Sequence, residues 1–244
     1  IIMQHRPCMV SCKVKAITID ENKKAKIDND KCISCGACVY KCPFGAISDK
    51  SYVLDIIDML KKSENNTKYK VYAVIAPAIV SQCRFGRPTQ VVTAIQKLGF
   101  HQVVEAALGA DITLYHEALE WKEKGLMTTS CCPSYVAFIE KNFPELVQHI
   151  SHSVSPMILT AQMIKHSDPT AKCIFIGPCA SKKFEFKLPK TGGAIDCVMS
   201  FEELQAFLDA RGIDTVDCED TVLDNGSFYG RIFAKSGGIV QGLL

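Results

Sequence analysis

The chain has 244 residues, 48% of them hydrophobic and 22% charged, and its 28 Lys and Arg residues nearly balance 26 Asp and Glu residues for a net charge of +2. This composition can build a globular core and excludes a disordered or coiled-coil chain. No apolar run reaches the ~18 residues of a membrane span, and the balanced charge gives no reason to expect a nucleic-acid or membrane partner.

The 13 cysteines are unevenly spread, and six of them lie within the first 42 positions. The first six residues lack the regions of a secretory signal peptide. Clustered thiols without such a signal favour metal ligands in a reducing compartment, so we expect a cytoplasmic protein. Because no initiator Met opens the sequence, we also expect it to be a piece of a longer protein, incomplete at both ends.

Residues 1–50 form the first predicted unit, which is polar and rich in cysteine. Residues 16–20 and 25–28 alternate in polarity and predict a small hairpin. Residues 51–70 form a connection: 51–60 have helical spacing, and the charged stretch 61–70 is the best candidate for a domain boundary.

Residues 71–244 form the second predicted unit, in which strands alternate with helices. We expect buried strands that end in loops at 71–80, where the apolar run breaks at Pro77, and at 173–179, and further strands at 100–105, 127–130 and 194–199. We expect helices at 89–98, 112–121, 135–142, 155–164 and 201–210. This alternation predicts an α/β fold with largely parallel sheets flanked by helices. Sites in such folds lie at the carboxyl ends of strands, where two cysteine-bearing loops are expected.

Four cysteines near the N-terminus have the spacing C-x2-C-x2-C-x3-C-P, which is the bacterial ferredoxin run for a [4Fe–4S] cluster. They are Cys32, Cys35, Cys38 and Cys42. An upstream pair, Cys8 and Cys12, resembles the end of a first such run. A zinc site is the alternative, which we disfavour because zinc knuckles do not use four cysteines in this run followed by Pro.

The fourth cysteine of each run binds the other cluster in two-cluster ferredoxins. By this rule Cys12 completes the cluster of the first three cysteines in the complete run. Cys42 then joins Cys8 in a second [4Fe–4S] cluster. That cluster is only half-ligated in this sequence, because its other two ligands would precede Cys8.

Two further cysteine motifs lie in the second unit, TSCCPSY at 129–135 and GPCASKKFE at 177–185. Adjacent cysteines such as Cys131 and Cys132 cannot easily share one cluster face, so one can bind metal while the other points elsewhere. Isolated cysteines are more often small buried hydrophobes. We assign that role to Cys83, Cys173, Cys197 and Cys218.

These two motifs resemble the first two signature motifs of the [FeFe]-hydrogenase catalytic domain, and a ferredoxin-like module is the usual companion of that domain. The resemblance covers essentially the whole chain. It implies a ferredoxin-like module with two [4Fe–4S] clusters in 1–50, followed in 71–244 by a partial catalytic domain. The implied reaction is the reversible reduction of protons to H2, with electrons from ferredoxin or a similar low-potential carrier.

The resemblance also implies an H-cluster, a [4Fe–4S] cubane joined through a Cys sulfur to a two-iron subsite that carries CO, cyanide and azadithiolate. Cys132 and Cys179 match two of the four cubane ligands. The other two belong to a third motif, which this sequence does not contain. We therefore expect the chain alone to be inactive.

The family's proton donor matches Cys131, and its proton relay matches Glu117, Ser151 and Glu120. Composition alone would place these glutamates on a solvated helix face. Lys182 matches the lysine that donates to a cyanide ligand, and we expect its neighbour Lys183 to face solvent.

Several positions depart from the best-known members of the family and predict a divergent subgroup. They are Ala78, Ser134, Tyr135, Met157 and Gly177. Two alternatives stay open: an H2-sensing, redox-sensing or electron-transfer protein, and a non-catalytic iron–sulfur assembly factor of the same fold. The assembly factor generally lacks the proton-donor cysteine, whereas Cys131 is present here.

Overall fold

The computed structural model describes residues 6–82 and 86–243, so the expectation for Cys83 lies outside the described residues. The strands are β1 (Ile17–Ile19), β2 (Ala25–Ile27), β3 (Val71–Ile75), β4 (Gln102–Glu105), β5 (Lys172–Ile176) and β6 (Cys197–Met199). The first two form the predicted antiparallel hairpin. The other four form one parallel sheet in the order β4-β3-β5-β6.

Helices flank this sheet, so the predicted α/β class is confirmed. The α-helices are α1 (Pro7–Ser11), α2 (Ala37–Tyr40), α3 (Val53–Lys62), α4 (Ile79–Gln82), α5 (Pro88–Lys97), α6 (Ala106–Lys124), α7 (Pro133–Asn142), α8 (Pro156–Ser167), α9 (Lys182–Glu185), α10 (Phe201–Ala210), α11 (Phe228–Arg231) and α12 (Gly238–Leu243). Short 3-10 helices lie at Pro144–His149, Pro189–Thr191, Thr215–Asp217 and Ile232–Ala234. No helix in the described ranges is long and apolar enough to cross a membrane.

The main core lies on both faces of the sheet. The central strands β3 and β5 are almost continuously apolar, as strands covered on both faces must be. Ile56 of α3 and Tyr52 join the same core, so the connecting segment packs against the sheet. Cys173 and Cys197 are buried within this core, where they serve as small hydrophobes, and Cys218 is buried there as well.

Within the apolar run 71–80 the strand ends at Ile75, which agrees with the predicted break at Pro77, a residue without an N–H group to continue the ladder. Other predicted boundaries were wrong. The strand predicted at 127–130 is only a single parallel bridge between Thr128 and Ile150. Thr128 makes backbone hydrogen bonds with the residues on either side of Ile150, and the chain then turns toward Cys131.

The long helix α6 begins at Ala106, six residues before the predicted start, because small residues let it approach α8 closely. A Cβ atom added at Gly109 would lie 2.4 Å from the Pro156 carbonyl oxygen. The Gly109 N–H donates to Thr160 Oγ1 at 3.1 Å. This close crossing fixes the direction of α6 and carries Glu117, two turns further along, into the interior.

The N-terminal module contacts the second unit directly. Gly36 has a φ of +77°, and a Cβ atom added there would lie 3.0 Å from Ala180 Cβ. Lys141 Nζ of α7 donates to the carbonyl oxygens of Asn29 at 3.1 Å and Cys32 at 2.7 Å. The cysteine loop of the module therefore lies against the loop that carries Cys179.

Candidate functional site

The N-terminal module contains a cavity of about 290 Å³ whose lining includes four cysteines. They are the four that the crossed-ligand rule groups together: Cys12, Cys32, Cys35 and Cys38. The remaining lining is largely apolar and includes Ile17, Ile27 and Ile33. Four thiols around one apolar cavity are a donor set that fits a [4Fe–4S] cluster.

Backbone amides point at the sulfurs of this module. The N–H groups of Ala16 and Ser34 donate to Cys12 Sγ at 3.2 Å and Cys32 Sγ at 3.4 Å. Such hydrogen bonds stabilise thiolates and are one of the factors that set cluster potentials. The positive φ of Gly36 permits the turn that brings the loop around the cavity.

Of the described cysteines in this module, Cys8 and Cys42 do not line that cavity. Cys8 is a buried residue of α1, and Cys42 follows α2. Backbone N–H groups of Phe44 and Ala46 lower the pKa of the Cys42 thiol, and the Ala46 contact is 3.2 Å. The separation agrees with the assignment of these two cysteines to a different cluster, which stays a prediction.

Within residues 6–82 and 86–243, no three His, Cys, Asp or Glu side chains converge on a position for a single metal ion. A four-iron cluster spreads its thiolates around a body of several atoms rather than around one ion. The four-thiol cavity is therefore the relevant observation for the N-terminal module.

The second cysteine pair lies at the start of α7. Cys132 is the N-cap residue, Pro133 is the first helical residue, and both Cys131 and Cys132 line a cavity of about 550 Å³. Ile239 and Val240 of α12 form part of the opposite wall. The described lining comes from α6, from the segment 127–135 and from α12, and it includes no residue of the four-stranded sheet.

Cys179 follows β5 on a neighbouring loop and is an exposed residue. Protein atoms around its thiol nevertheless raise its pKa by desolvation; Lys182 lowers this pKa and Cys132 raises it. These influences indicate that Cys132 and Cys179 face a common region. Ligation of one cluster by these two thiols stays a prediction.

Lys182 joins the two cysteine loops. Its Nζ donates to the Cys131 carbonyl oxygen at 2.9 Å and to Glu185 Oε2 at 2.5 Å. Glu185 is itself buried, so this ion pair is largely shielded from water. The family-based interpretation did not include Glu185, although the Lys-x-x-Glu spacing on a helix could have indicated the pair.

Glu117 is fully buried, which excludes the solvated helix face that composition alone favours. In the part of the chain that the structure describes, neither of its carboxyl oxygens has a hydrogen-bond partner. Burial raises the pKa of this carboxyl; Ser130 and Ser151 are close enough to oppose the effect but do not outweigh it. Glu117 therefore retains its proton to a higher pH than an ordinary Glu does.

Ser151 and Glu120 form the outer part of the same region. Ser151 Oγ donates to Glu120 Oε2 at 2.9 Å. Glu120 also contacts Lys124 Nζ at 2.6 Å and His152 Nδ1 at 2.9 Å, and the His152 side chain is 83% exposed. Burial acts to raise the pKa of Glu120, but Lys124, Ser151 and the His152 amide together lower it.

Cys131 lies at the inner end of this series. Burial is the largest influence on the Cys131 thiol and raises its pKa, and the neighbouring Glu117 raises it further. Thr129 and Lys182 act in the opposite direction without reversing the shift. Glu117 therefore lies near both Cys131 and Ser151, and the Ser151–Glu120 hydrogen bond continues toward the exposed His152. A proton pathway through these residues stays a prediction.

Lys183 does not face solvent, so that expectation was wrong. Its side chain is 5% exposed, and its Nζ lies 2.8 Å from both Asp49 Oδ2 and Glu203 Oε2. The chain turns Lys183 inward because it follows a loop packed against the N-terminal module. Ser200 and Glu203 form a capping box, a spacing that is visible in the sequence but was not used.

The fold and these sites define an iron–sulfur protein of the α/β class. The iron only hydrogenase large subunit, C-terminal domain, matches residues 69–244, and a 4Fe-4S binding domain matches residues 25–48. The chain therefore belongs to the iron-only, or [FeFe], hydrogenase family. The predicted ferredoxin-like module and hydrogenase domain agree with both matches.

Three relatives illustrate the range of the family. The chain is 30% identical to iron hydrogenase 1 of Clostridium pasteurianum, over 95% of this chain and 53% of the relative. It is 29% identical to the periplasmic [Fe] hydrogenase large subunit of Nitratidesulfovibrio vulgaris, over 90% and 66%. It is 25% identical to the cytosolic Fe-S cluster assembly factor NAR1 of Kluyveromyces lactis, over 81% and 45%.

Solved structures support the same fold. A variant of the apo [FeFe]-hydrogenase HydA1 from Chlamydomonas reinhardtii matches with a TM-score of 0.63 and 24% identity, over 72% of this chain and 51% of that one. The chain spans about half to two thirds of the length of the curated relatives described above. The presence of assembly factors among them agrees with a divergent subgroup.

Proposed function

We propose that this chain forms the electron-entry and proton-delivery part of an [FeFe]-hydrogenase that reversibly reduces protons to H2. The observation that carries the proposal is Glu117, a fully buried carboxyl group between Cys131 and the Ser151–Glu120 hydrogen bond. A buried carboxyl group without a hydrogen-bond partner among the described residues is costly to the fold. A proton-transfer role gives a reason for keeping it.

The proposed proton pathway uses the contacts of Glu120 with its neighbours. His152 and Lys124 hold Glu120 at the surface, Ser151 donates to Glu120, and Glu117 lies inside. Because burial raises the pKa of Glu117, this group holds a proton to a higher pH than an ordinary Glu does and would carry it inward. Cys131, whose thiol pKa is also raised by burial, would receive that proton and present it to the cavity.

Cys132 and Cys179 would hold the H-cluster from this chain, which when bound supplies the redox chemistry of protons and H2. Lys182 would hold the two cysteine loops together through its hydrogen bond to the Cys131 carbonyl oxygen, and it would place a positive charge beside anionic ligands. Cys131 does not compete for the same coordination position, because its neighbour Cys132 occupies it. The two adjacent cysteines would therefore divide proton donation and iron binding.

Electrons would come from ferredoxin or a similar low-potential carrier and pass through the N-terminal clusters. The four-thiol cavity is lined by Ala180 and Lys183 as well as by the module's own residues. Ala180 is the residue after Cys179, so the cluster site in the module adjoins a ligand loop of the second site. This adjacency supports a short route for electrons between them.

The second candidate is an iron–sulfur assembly factor, which is favoured by the 25% identity to NAR1 of Kluyveromyces lactis. An H2-sensing or redox-sensing protein is the third, because by the family resemblance the departures at Ala78, Met157 and Gly177 surround the expected two-iron subsite. Neither role needs fast proton delivery. Cys131 and the buried Glu117 therefore favour the hydrogenase, which we place in the cytoplasm although the names of relatives include both cytosolic and periplasmic proteins.

The test is H2 evolution from reduced methyl viologen by the protein that carries this chain, with its H-cluster assembled. We expect turnover that falls strongly in Cys131→Ser, while the iron content and the infrared CO and cyanide bands persist. A cluster-loaded protein without turnover, and with no change on Cys131→Ser, would favour the sensing or assembly roles.

A further inference from the structure

Lys183 is a buried cation at the wall of the four-thiol cavity. The cavity is lined by Cys12, Cys32, Cys35 and Cys38 on the module side and by Ala180, Lys183, Phe184 and Lys187 on the other side. The Lys183 side chain is 5% exposed, whereas Lys187 is an exposed residue on the same wall. One of these two lysines is thus shielded from water and the other is not.

The charge of Lys183 is held in place by two carboxylates from different parts of the chain. Asp49 comes from the N-terminal module, and Glu203 comes from the first turn of α10. Burial acts to lower the pKa of Lys183, but the two carboxylates raise it above its ordinary value, so the side chain stays charged. Glu203 is fixed in turn because it accepts a hydrogen bond from the Ser200 amide at 2.7 Å.

The geometry leaves Lys183 with donor capacity. Its Nζ lies 2.8 Å from one oxygen of each of the two carboxylates. A lysine ammonium has three N–H donors, so these two contacts leave one donor for a further acceptor. A cation in this position faces the cavity in which four thiolates would surround a cluster.

We propose that Lys183 is a positioning residue that tunes the N-terminal [4Fe–4S] cluster, making that cluster easier to reduce and tying the module to the catalytic domain through Asp49. The physical reason is that one added electron makes the cluster and its four thiolates more negative by one charge. A shielded cation nearby stabilises that extra charge more than a solvated one does. The inference rests on cluster binding by the four cysteines, but not on H2 production.

Because Lys183 and Asp49 carry opposite charges, removing one or the other should shift the reduction potential of the cluster in opposite directions. Lys183→Met removes a positive charge and should make the cluster harder to reduce. Asp49→Asn removes a negative charge and should make it easier to reduce. In each variant, we expect the ratio of reduced to oxidised cluster at a fixed potential to change about tenfold. This change corresponds to a shift of about 59 mV in the reduction potential of a one-electron couple.

The experiment uses the full chain, loaded anaerobically with iron and sulfide and titrated with dithionite while the reduced cluster is followed by EPR. Lys187→Met is the matched control, because the same charge is lost from the exposed lysine on the same wall; its shift should be much smaller. Lys183→Arg keeps the charge and should retain the original potential. Iron content is measured for every variant.

Three results would overturn the inference. One is an unchanged potential in Lys183→Met at full iron content. Another is a shift of the same sign in Lys183→Met and Asp49→Asn, which would indicate a purely structural role. The third is a chain that binds no cluster without any substitution. If Lys183→Met alone loses its cluster, the other two variants test the inference: Asp49→Asn should make the cluster easier to reduce, and Lys183→Arg should retain the original potential. Failure of H2 evolution, by contrast, would refute only the proposed function.

Discussion

Glu117→Gln separates the proton-transfer role of Glu117 from its cost to the fold. The substitution keeps the size of the side chain and removes the titratable proton. In the protein with its H-cluster assembled, we expect H2 evolution to fall by about 10²–10⁴-fold, the usual contribution of a positioned proton-transfer group. Cluster content should not change, because Glu117 is not among the proposed ligands.

The same substitution should have a pH-dependent effect on stability. Burial raises the pKa of Glu117 in the folded chain, so the folded state holds its proton more tightly than the unfolded state does. Tighter proton binding by Glu117 therefore contributes to the free energy of unfolding. This contribution is complete below the pKa of Glu in the unfolded chain, about 4.3, and is lost as the pH rises through the pKa of Glu117 in the folded chain. The loss amounts to about 1.4 kcal/mol for each unit by which the pKa is raised.

Urea unfolding at a series of pH values from 4 to 8 measures this effect. Relative to the unsubstituted chain, Glu117→Gln should gain stability as the pH rises. Glu117→Leu should be more stable still by about 1–3 kcal/mol, because it also removes a buried polar group that lacks a partner among the described residues. Glu123→Gln, at an exposed position of the same helix, is the matched control.

Two results would contradict this role of Glu117: full H2 evolution in Glu117→Gln, or a stability relative to the unsubstituted chain that does not change with pH. The first result would remove Glu117 from the proton pathway. The second would mean that water or a rearrangement satisfies the carboxyl group and that its burial carries no cost.

Four other substitutions give three separate tests. Cys35→Ser should abolish the EPR signal of the N-terminal cluster in the reconstituted chain, and an unchanged spectrum would show that the crossed-ligand assignment is wrong. Cys131→Ser should slow H2 evolution while Cys132→Ser lowers iron content; equal iron loss in both would contradict the division of labour between them. Gly177→Met should destabilise the chain by about 1–3 kcal/mol in urea unfolding, because an added Cβ atom would lie 2.5 Å from the Phe175 ring. A fully stable Gly177→Met variant would mean that the ring moves aside at little cost.

The α/β class and the N-terminal cluster site could be predicted because their signals are local. An apolar run such as that of β5 indicates a buried strand by itself, and the spacing around Cys35 indicates a cluster without any knowledge of the fold. The thiol of Cys12 could be added because the crossed-ligand rule connects two short motifs. The structure contains β5 and groups Cys12 and Cys35 around one cavity, whereas binding of a cluster there stays a prediction.

The positions that the sequence did not reveal depend on contacts between distant segments. Lys183 looks like an ordinary surface lysine until Asp49 and Glu203, from two other segments, are brought against it. The early start of α6 depends on close packing at Gly109 against α8. In both cases the deciding partner lies more than ten residues away, and helical or strand periodicity carries no information about it.

The contact between Gly36 and Ala180 has a consequence for how fast charge can move. Electron tunnelling slows steeply with the separation of donor and acceptor, and two residues with the smallest side chains meet at this junction. Because both side chains are small, the cysteine loop of the module can approach the loop of Cys179 closely. The contact between Gly36 and Ala180 would thus fix the distance for electron transfer between the two loops. Such a transfer would not require a diffusional encounter.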